Sequence, residues 1–418
     1  MKSKISKKLS LKSKIKKLLQ NIFVEGTFKS VIGLGITTTI GYGTLFYSFT
    51  IMSTQIQNEF YWSKTFLFGI FSLGILLGGL IAPKVGKLLD KHGARLIMTI
   101  GSFLSFLGLY NLSLIQNEWH YIFAILFLEI VSTLVLYESA FVAFSQLAGN
   151  KARTPIIQIT LIAGFASTIF WPLISYLLTV VNWREVYIIL GLFHIFIAMP
   201  LHYFVLKPNL LINNDLKNSV NGLQNSVNLV GTKRKIAKYY LIFIFSLVTI
   251  PITAMQTHFM GLFQEFGFEM ATAVLLGAII GPSQVVARVI EIFFSRKVSP
   301  MTSALYSIFV LLVGLFALII SDYNYIFAFV FVIFYGAGQG LVTVIRGSLP
   351  LYLFGKNGYG EITGELNLYK NIVVATVPFG FALIIDNLGA HFAVFILILV
   401  SIISFIMLYI LNKKLKVN

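Results

Sequence analysis

The sequence predicts an all-α membrane protein: twelve transmembrane helices in two six-helix bundles. Three observations lead there. Of 418 residues, 57% are hydrophobic and only 11% charged, whereas soluble domains carry about 25% charged residues. Apolar runs of about 20 residues, the length that crosses a bilayer core, recur twelve times along the chain. One long polar stretch, 207–237, divides them six and six.

The first six runs cover 30–52, 63–85, 96–115, 121–144, 155–181 and 185–206. The second six cover 238–260, 271–294, 301–321, 325–347, 365–386 and 391–411. The expected organisation is therefore a basic cytoplasmic tail over 1–29, an N-terminal bundle over 30–206, a cytoplasmic linker over 207–237, a C-terminal bundle over 238–411 and a short cytoplasmic tail over 412–418. The first residues are rich in Lys, with no apolar core or small-residue cleavage site, so they do not read as a signal peptide. Their Lys/Ser/Leu mix suits a solvated tail, or a basic helix on anionic membrane lipids. The linker carries Asn213, Asn214, Asp215 and the run Lys233-Arg234-Lys235.

Charge tests the topology. With both termini inside, Lys64 and Arg184 are the basic residues at outer positions, and Arg288, Arg346 and Lys370 fall within spans or at their inner ends. The other Lys and Arg fall on the inner side, while Glu59, Glu118, Glu185, Glu265, Glu269, Asp322 and Asp386 fall outside. This asymmetry obeys the positive-inside rule and implies a multi-pass protein of the inner (plasma) membrane. It also accounts for the net charge of +17 without a nucleic-acid partner. There is no cysteine, so disulfides and thiolate chemistry are excluded. The six histidines form no metal-ligand spacing, and no catalytic constellation is visible. Neither a metal, a cofactor nor an enzymatic activity is expected.

The most patterned loop is Gly86-Lys-Leu-Leu-Asp90-Lys-His-Gly93-Ala-Arg95, between spans two and three. Gly86 and Gly93 allow sharp turns at helix ends. Lys91 and Arg95, with Lys84 and Lys87, mark an inner loop. Asp90 lies where a carboxylate can accept hydrogen bonds from a neighbouring helix N-terminus. This pattern resembles the loop 2–3 signature of the major facilitator superfamily. The resemblance implies two pseudo-symmetric bundles that rock around a midplane site, and a transporter acting as a monomer. Gly86, Asp90, Lys91, Gly93 and Arg95 would then gate the inner side, with Arg346 as a latch near the inner end of span ten.

Ionisable groups inside spans are costly, roughly 2.5–3.5 kcal/mol on insertion scales, and point to function. Span eight reads Gly281-Pro-Ser-Gln284-Val-Val-Ala-Arg288-Val-Ile-Glu291. Gln284 shares a helix face with Arg288, and Arg288 with Glu291. Arg288 suits an anionic substrate through its planar fork, or a structural pair with Glu291. Lys370 in span eleven lies at similar depth. Span four carries Glu129 and Glu138, either of which could carry a proton or pair with a loop cation or Arg346. Glu138, Glu291 and His258 are the proton-coupling candidates, whereas His194 and His202 read as packed histidines. Tyr42, Tyr137 and Gln256 are candidate cavity groups by position.

Arg288 and Lys370 also resemble the paired cations of the monocarboxylate porter and oxalate–formate exchanger branch of the superfamily, by span and by order. Trp62-Ser63-Lys64-Thr65, at the start of span two, is similar to that branch too. The resemblance implies carboxylate binding by Arg288 and Lys370, with Gln284, Tyr42 and Gln256 beside them. Two departures stand out. Gln284 occupies the place of an Asp in monocarboxylate porters, and their signature before span one is not recognisable around Glu25-Gly26-Thr27-Phe28. The expected function is secondary active transport of a small organic anion, a mono- or dicarboxylate, by alternating access. Symport with protons or antiport against another anion would supply the coupling. The alternative in the same fold is an exporter of drugs or metabolites without carboxylate specificity.

Overall fold

The computed structural model describes residues 24, 26–206, 227–295 and 297–415. The N-terminal tail to 23, the linker over 207–226 and the last residues from 416 lie outside the described residues.

Among the described residues twelve helical rods, α1–α12, follow one another. They are α1 (28–60), α2 (Lys64–His92), α3 (Ala94–Ser113), α4 (Glu118–Ala148), α5 (Arg153–Val180) and α6 (Trp183–Val205), then α7 (Gly231–Glu265), α8 (Met270–Phe294), α9 (Pro300–Ile319), α10 (Ile326–Phe354), α11 (Tyr359–Leu388) and α12 (Ala390–Leu415). Among the described residues eleven of them are long and apolar enough to cross a membrane. The remaining rod, α1, carries a wide-turned π segment, Tyr42–Tyr47, at its middle. Helices are the one open-ended solution in lipid, because every backbone group is satisfied within the segment. The helix of α7 starts at Gly231, ahead of the apolar run that begins at 238. Lys233, Arg234 and Lys235 thus form its first turns, where Arg234 donates to the Phe354 carbonyl (3.3 Å) and lies over the Phe354 ring.

Local chemistry sets the ends. Ser63 caps α2 by accepting the Phe66 N–H, and Asn117 caps α4 by accepting that of His120. Asn182 and Glu185 form a reciprocal capping box on α6. Gly93, at φ +82°, turns α2 directly into α3, a conformation that suits glycine.

Three further rods are irregular along their length. α4 breaks over 133–136, α5 breaks at Gly164 and Phe165, and α6 contains a second π segment, His194–Ala198. Irregular backbone at this depth is tolerated where protein or a cavity satisfies it. At the α4 break Ser139 donates its hydroxyl to the Thr133 carbonyl (2.7 Å).

Each bundle has its own apolar core. That of the C-terminal bundle is continuous, around Phe245, Phe263, Phe331, Leu311 and Leu397. The N-terminal bundle has one core around Phe49, Met52, Leu109 and Leu128. A second, around Val85, Leu89, Phe141 and Ile156, also takes in Leu351 and Tyr359 of the other bundle. The halves are thus sealed together at the end that carries the basic loops.

Candidate functional site

The bundles meet through α2 with α11, α4 with α11 and α10, and α5 with α8 and α10. Small residues bring α2 and α11 backbone to backbone: Gly86 faces the Gly360 carbonyl, and Gly364 faces that of Ala82. A methyl group at any of these positions would collide with the opposite main chain, so glycine is required for the close approach. Across this seam Asp90 accepts the N–H groups of Gly360 and Glu361, both at 3.0 Å, at the start of α11. Lys87 pairs with Glu361 at 3.0 Å. Arg95 instead binds within its own bundle, donating to the Tyr203 carbonyl and lying over the Tyr203 ring. Lys91 is exposed.

A second cross-bundle contact is centred on Arg153, at the start of α5. Its guanidinium donates to Glu291 Oε1 (2.6 Å), Ser303 Oγ (2.7 Å) and the Ser295 and Val298 carbonyls. Glu291 therefore pairs with Arg153, not with Arg288, and Ser303 donates to its other oxygen. The reading of Glu291 as the partner of Arg288 is thereby corrected. Arg153 and Glu291 come from different bundles, which a helix-face argument within span eight does not consider.

Arg288 is 4% exposed, and among the described residues its acceptors are all neutral. Its Nη1 donates to the Thr160 carbonyl at 2.8 Å, Nη2 to Gln284 Oε1 at 3.3 Å and Nε to the Gly340 carbonyl at 3.3 Å. Thr160 stands just before the break in α5, and Gly164 leaves room for the Arg288 fork, 2.6 Å from where a Cβ would sit. Gln284 in turn donates to Gln339 Oε1 (3.0 Å). The side-chain amide of Gln284 is thereby oriented with its oxygen toward the cation.

Tyr42, Tyr47 and Tyr137 gather close enough to Arg288 to feel its charge. The Tyr42 and Tyr137 rings are 4.6 Å apart, and Tyr42 and Tyr47 are 6.4 Å apart. In a regular helix residues five apart point about 140° from one another, so Tyr47 is not legible as a neighbour of Tyr42. The π segment brings them together.

Deeper along the seam, Lys370 Nζ meets Glu138 Oε1 at 3.0 Å, linking α11 to α4. Arg346 donates to Thr249 Oγ1 at 2.8 Å and acts electrostatically on Glu138 and Tyr42. Lys370 and Arg346 thus share one carboxylate, Glu138, whereas the electrostatic neighbours of Arg288 are the three tyrosines. His258 lies apart, with Nε2 at 2.9 Å from the Pro378 carbonyl and its ring beside Phe381. Gln256 is exposed on α7 and joins no contact of the cluster. Among the described residues no group of His, Asp and Glu could hold a metal ion.

Sequence reasoning missed Arg153, Tyr47, Thr160 and Gln339. Arg153 was counted among inner-loop charges, and the carbonyl of Thr160 acts through main chain that no side-chain motif reveals.

The interbundle hydrogen bonds described above lie between the middle of the helices and the basic end. Toward the opposite end Gly69 and Gly380 have open space where a side chain would stand. The conformation is closed at the basic end.

Among solved structures, the fold is similar to that of the human organic anion transporter MFSD10 (TETRAN), with a TM-score of 0.70 at 15% identity, over 92% of this chain and 100% of that one. It is also similar to the proton:xylose symporter XylE bound to 6-bromo-6-deoxy-D-glucose, with a TM-score of 0.66 at 13% identity, over 91% and 95% of the two chains. At these identities the likeness is one of fold. No curated protein gives a significant sequence match. The sequence pattern of the Major Facilitator Superfamily matches residues 34–378, most of the chain, and with two six-helix bundles closing on the Asp90 seam the chain belongs to that superfamily of membrane transporters.

Proposed function

We propose that the chain is a secondary transporter of a small organic anion, a mono- or dicarboxylate, working by alternating access. The observation that carries this reading is the company Arg288 keeps. A guanidinium stays charged in practice, and here its hydrogen-bond partners among the described residues are three neutral oxygens. With Arg346 and Lys370 linked to it through Tyr42, Tyr137 and Glu138, and with Glu138 the one carboxylate of the cluster among the described residues, there is an excess of positive charge deep in the protein. An uncompensated cation in such surroundings is costly, and an anionic substrate would offset that cost. The name of one structural neighbour, an organic anion transporter, fits this reading. An exporter of cationic drugs would need the opposite balance.

In this reading the basic end faces the cytoplasm, both termini with it, and the conformation described is open to the outside. Arg288 would take the substrate carboxylate on two parallel hydrogen bonds, with Gln284 holding the fork in place. Tyr42, Tyr47 and Tyr137 would close over the apolar part. Lys370 would serve a second carboxylate, and protons or a counter-anion would drive the cycle. The branch of carboxylate porters and exchangers is the nearest functional analogy, supported by Arg288 and Lys370 and weakened by Gln284.

Uptake of a panel of radiolabelled mono- and dicarboxylates into proteoliposomes, with and without a pH gradient, tests the reading. Arg288→Lys keeps charge but loses the fork, and should lower affinity by about 30-fold or more, the equivalent of 2–5 kcal/mol for a desolvated charge pair. Carboxylate uptake that survives Arg288→Lys and Arg288→Gln undiminished would remove Arg288 from the substrate site.

A further inference from the structure

We infer that the carbon part of the substrate is an aromatic ring. The carboxylate is held by Arg288 of the C-terminal bundle, and the ring is seated on an aromatic wall of the N-terminal bundle. The inference rests on the anion-transport reading above and names the class of anion.

The wall begins beside Arg288. The Tyr137 hydroxyl and Arg288 Nη1 donate to one acceptor, the Thr160 carbonyl, at 3.5 Å and 2.8 Å. The Tyr42 ring packs on that of Tyr137, and Tyr47 lies beside Tyr42. From Tyr47 the contacts continue to Phe46 (5.5 Å between ring centres) and Trp171 (5.7 Å), and from Phe46 to Phe71 (5.8 Å). Along α1 and α5, Tyr47 and Trp171 lie farther from the basic end than Tyr42 and the α5 break. The rings thus lead from the cation toward the open end. Phe46 and Trp171 are 41% and 44% exposed, and the three tyrosines are half-buried.

The backbone is shaped for this wall. The π segment turns Tyr42 and Tyr47 to one site, and such segments recur at functional sites. At its end the Tyr47 carbonyl accepts Trp171 Nε1–H at 3.3 Å, which fixes the indole beside the Tyr47 ring. Between Ser30 and Asn58, α1 has no Asp, Glu, Lys, Arg or His. The wall therefore has no charge from α1 to offer a second ionised group, and it suits the uncharged part of the substrate.

Ring orientation favours an arene over an alkyl group. Tyr47 and Trp171 stand at 81°, Phe46 and Tyr47 at 83°, and Tyr42 and Phe46 at 72°. Rings set edge to face present both electron-rich faces and electropositive edges. An aromatic guest pairs with either, which adds to the gain from burial. A saturated guest gains from burial alone. A substrate with a carboxylate at one end and a ring at the other also touches both bundles, because the wall and Arg288 come from different halves.

Phenylacetate and cyclohexylacetate test the inference, since they share carbon skeleton and charge. The saturated ring has the larger apolar surface, so burial alone does not favour phenylacetate. Affinities are measured by calorimetry on the full chain in lipid nanodiscs, with succinate as a carboxylate that has no ring. Phenylacetate should bind about fivefold more tightly than cyclohexylacetate, the factor that an aromatic pair supplies. Tyr47→Leu should bring that ratio to about one, and Tyr47→Phe should keep it. Trp171→Leu, outside the π segment, is the second variant and should also lower the ratio. Equal binding, or a preference for cyclohexylacetate, would overturn the aromatic class and leave the anion reading standing. Binding of succinate but of neither ring acid would do the same. A preference that persists in both leucine variants would overturn the wall as its source. Binding of no carboxylate at all would overturn the anion reading and this inference together.

Discussion

Asp90 and Gly360 face each other from different bundles, the carboxylate of one accepting the backbone N–H of the other at 3.0 Å, with the Glu361 N–H on the second oxygen. The first N–H groups of a helix lack intrahelical partners and carry partial positive charge. Asp90 therefore acts as a cap on α11, supplied by the other half of the molecule. It holds only while the basic end is closed.

Removing a helix cap costs about 0.5–2 kcal/mol, and one or two kcal/mol changes an equilibrium by a factor of about 5–30. Asp90→Ala should therefore depopulate the closed state by that order and lower the maximal transport rate. The substrate's apparent affinity should stay close to normal, because Asp90 does not reach the Arg288 cluster. Initial rates across a range of substrate concentrations separate the two. A raised KM at unchanged maximal rate would contradict the capping role.

Arg153 and Glu291 give a second cross-bundle prediction. Both are buried, and removing one partner of a buried pair costs about 3–5 kcal/mol because the other charge is left without compensation. Glu291→Gln should lower the melting temperature in detergent markedly. Arg153→Gln/Glu291→Gln should recover much of that loss, whereas Arg288→Gln/Glu291→Gln should not. Recovery by the second pair and not the first would reverse the pairing described.

The contrast between these residues shows what was readable beforehand. Span number, the two-bundle division and the loop around Asp90 were legible because hydrophobic length and basic loops are local properties of the chain. Arg288 was legible as an isolated intramembrane cation for the same reason. Its relation to Glu291 was not, since i,i+3 spacing on one helix looks as good as a contact that crosses bundles. The π segments were hidden too: Tyr42 and Tyr47 share a site only because the helix widens between them, and neither Gly nor Pro marks such a turn uniquely.

The two π segments touch through Thr44 and His194. The Thr44 hydroxyl lies 2.8 Å from the Ile40 carbonyl and 2.7 Å from His194 Nε2. A hydroxyl has one proton; given to Ile40, it leaves the oxygen to accept from His194 Nε2–H, and Nδ1 is then the ring nitrogen without a proton. Thr44→Val leaves the buried Nε2–H without an acceptor, at a cost of about 1–3 kcal/mol. The variant should melt earlier, and its KM should rise as the Tyr42–Tyr47 turn loses its support. Thr44→Ser keeps the hydroxyl and should restore both. An unaffected KM in Thr44→Val would show that the π segment holds the tyrosines unaided.

Lys370 and Glu138 lie 3.0 Å apart across the seam, with side chains 16% and 30% exposed. The pair is partly open to the space around it, unlike Arg153 with Glu291, so a substrate carboxylate could compete with Glu138 for the ammonium. Two consequences follow from that competition. Lys370→Ala should weaken a dicarboxylate by about 30-fold or more, since a charge-assisted contact at a desolvated site is worth about 2–5 kcal/mol, and a monocarboxylate held by Arg288 much less. Glu138→Gln removes the competitor, so the dicarboxylate should bind more tightly, while turnover slows because the cross-bundle link no longer re-forms after release. Binding measured by scintillation proximity, set beside initial uptake rates for both substrate types, reads the two effects separately. Equal losses for mono- and dicarboxylates in Lys370→Ala would assign Lys370 to closing the seam alone, with Glu138 as its permanent partner and the substrate left to Arg288.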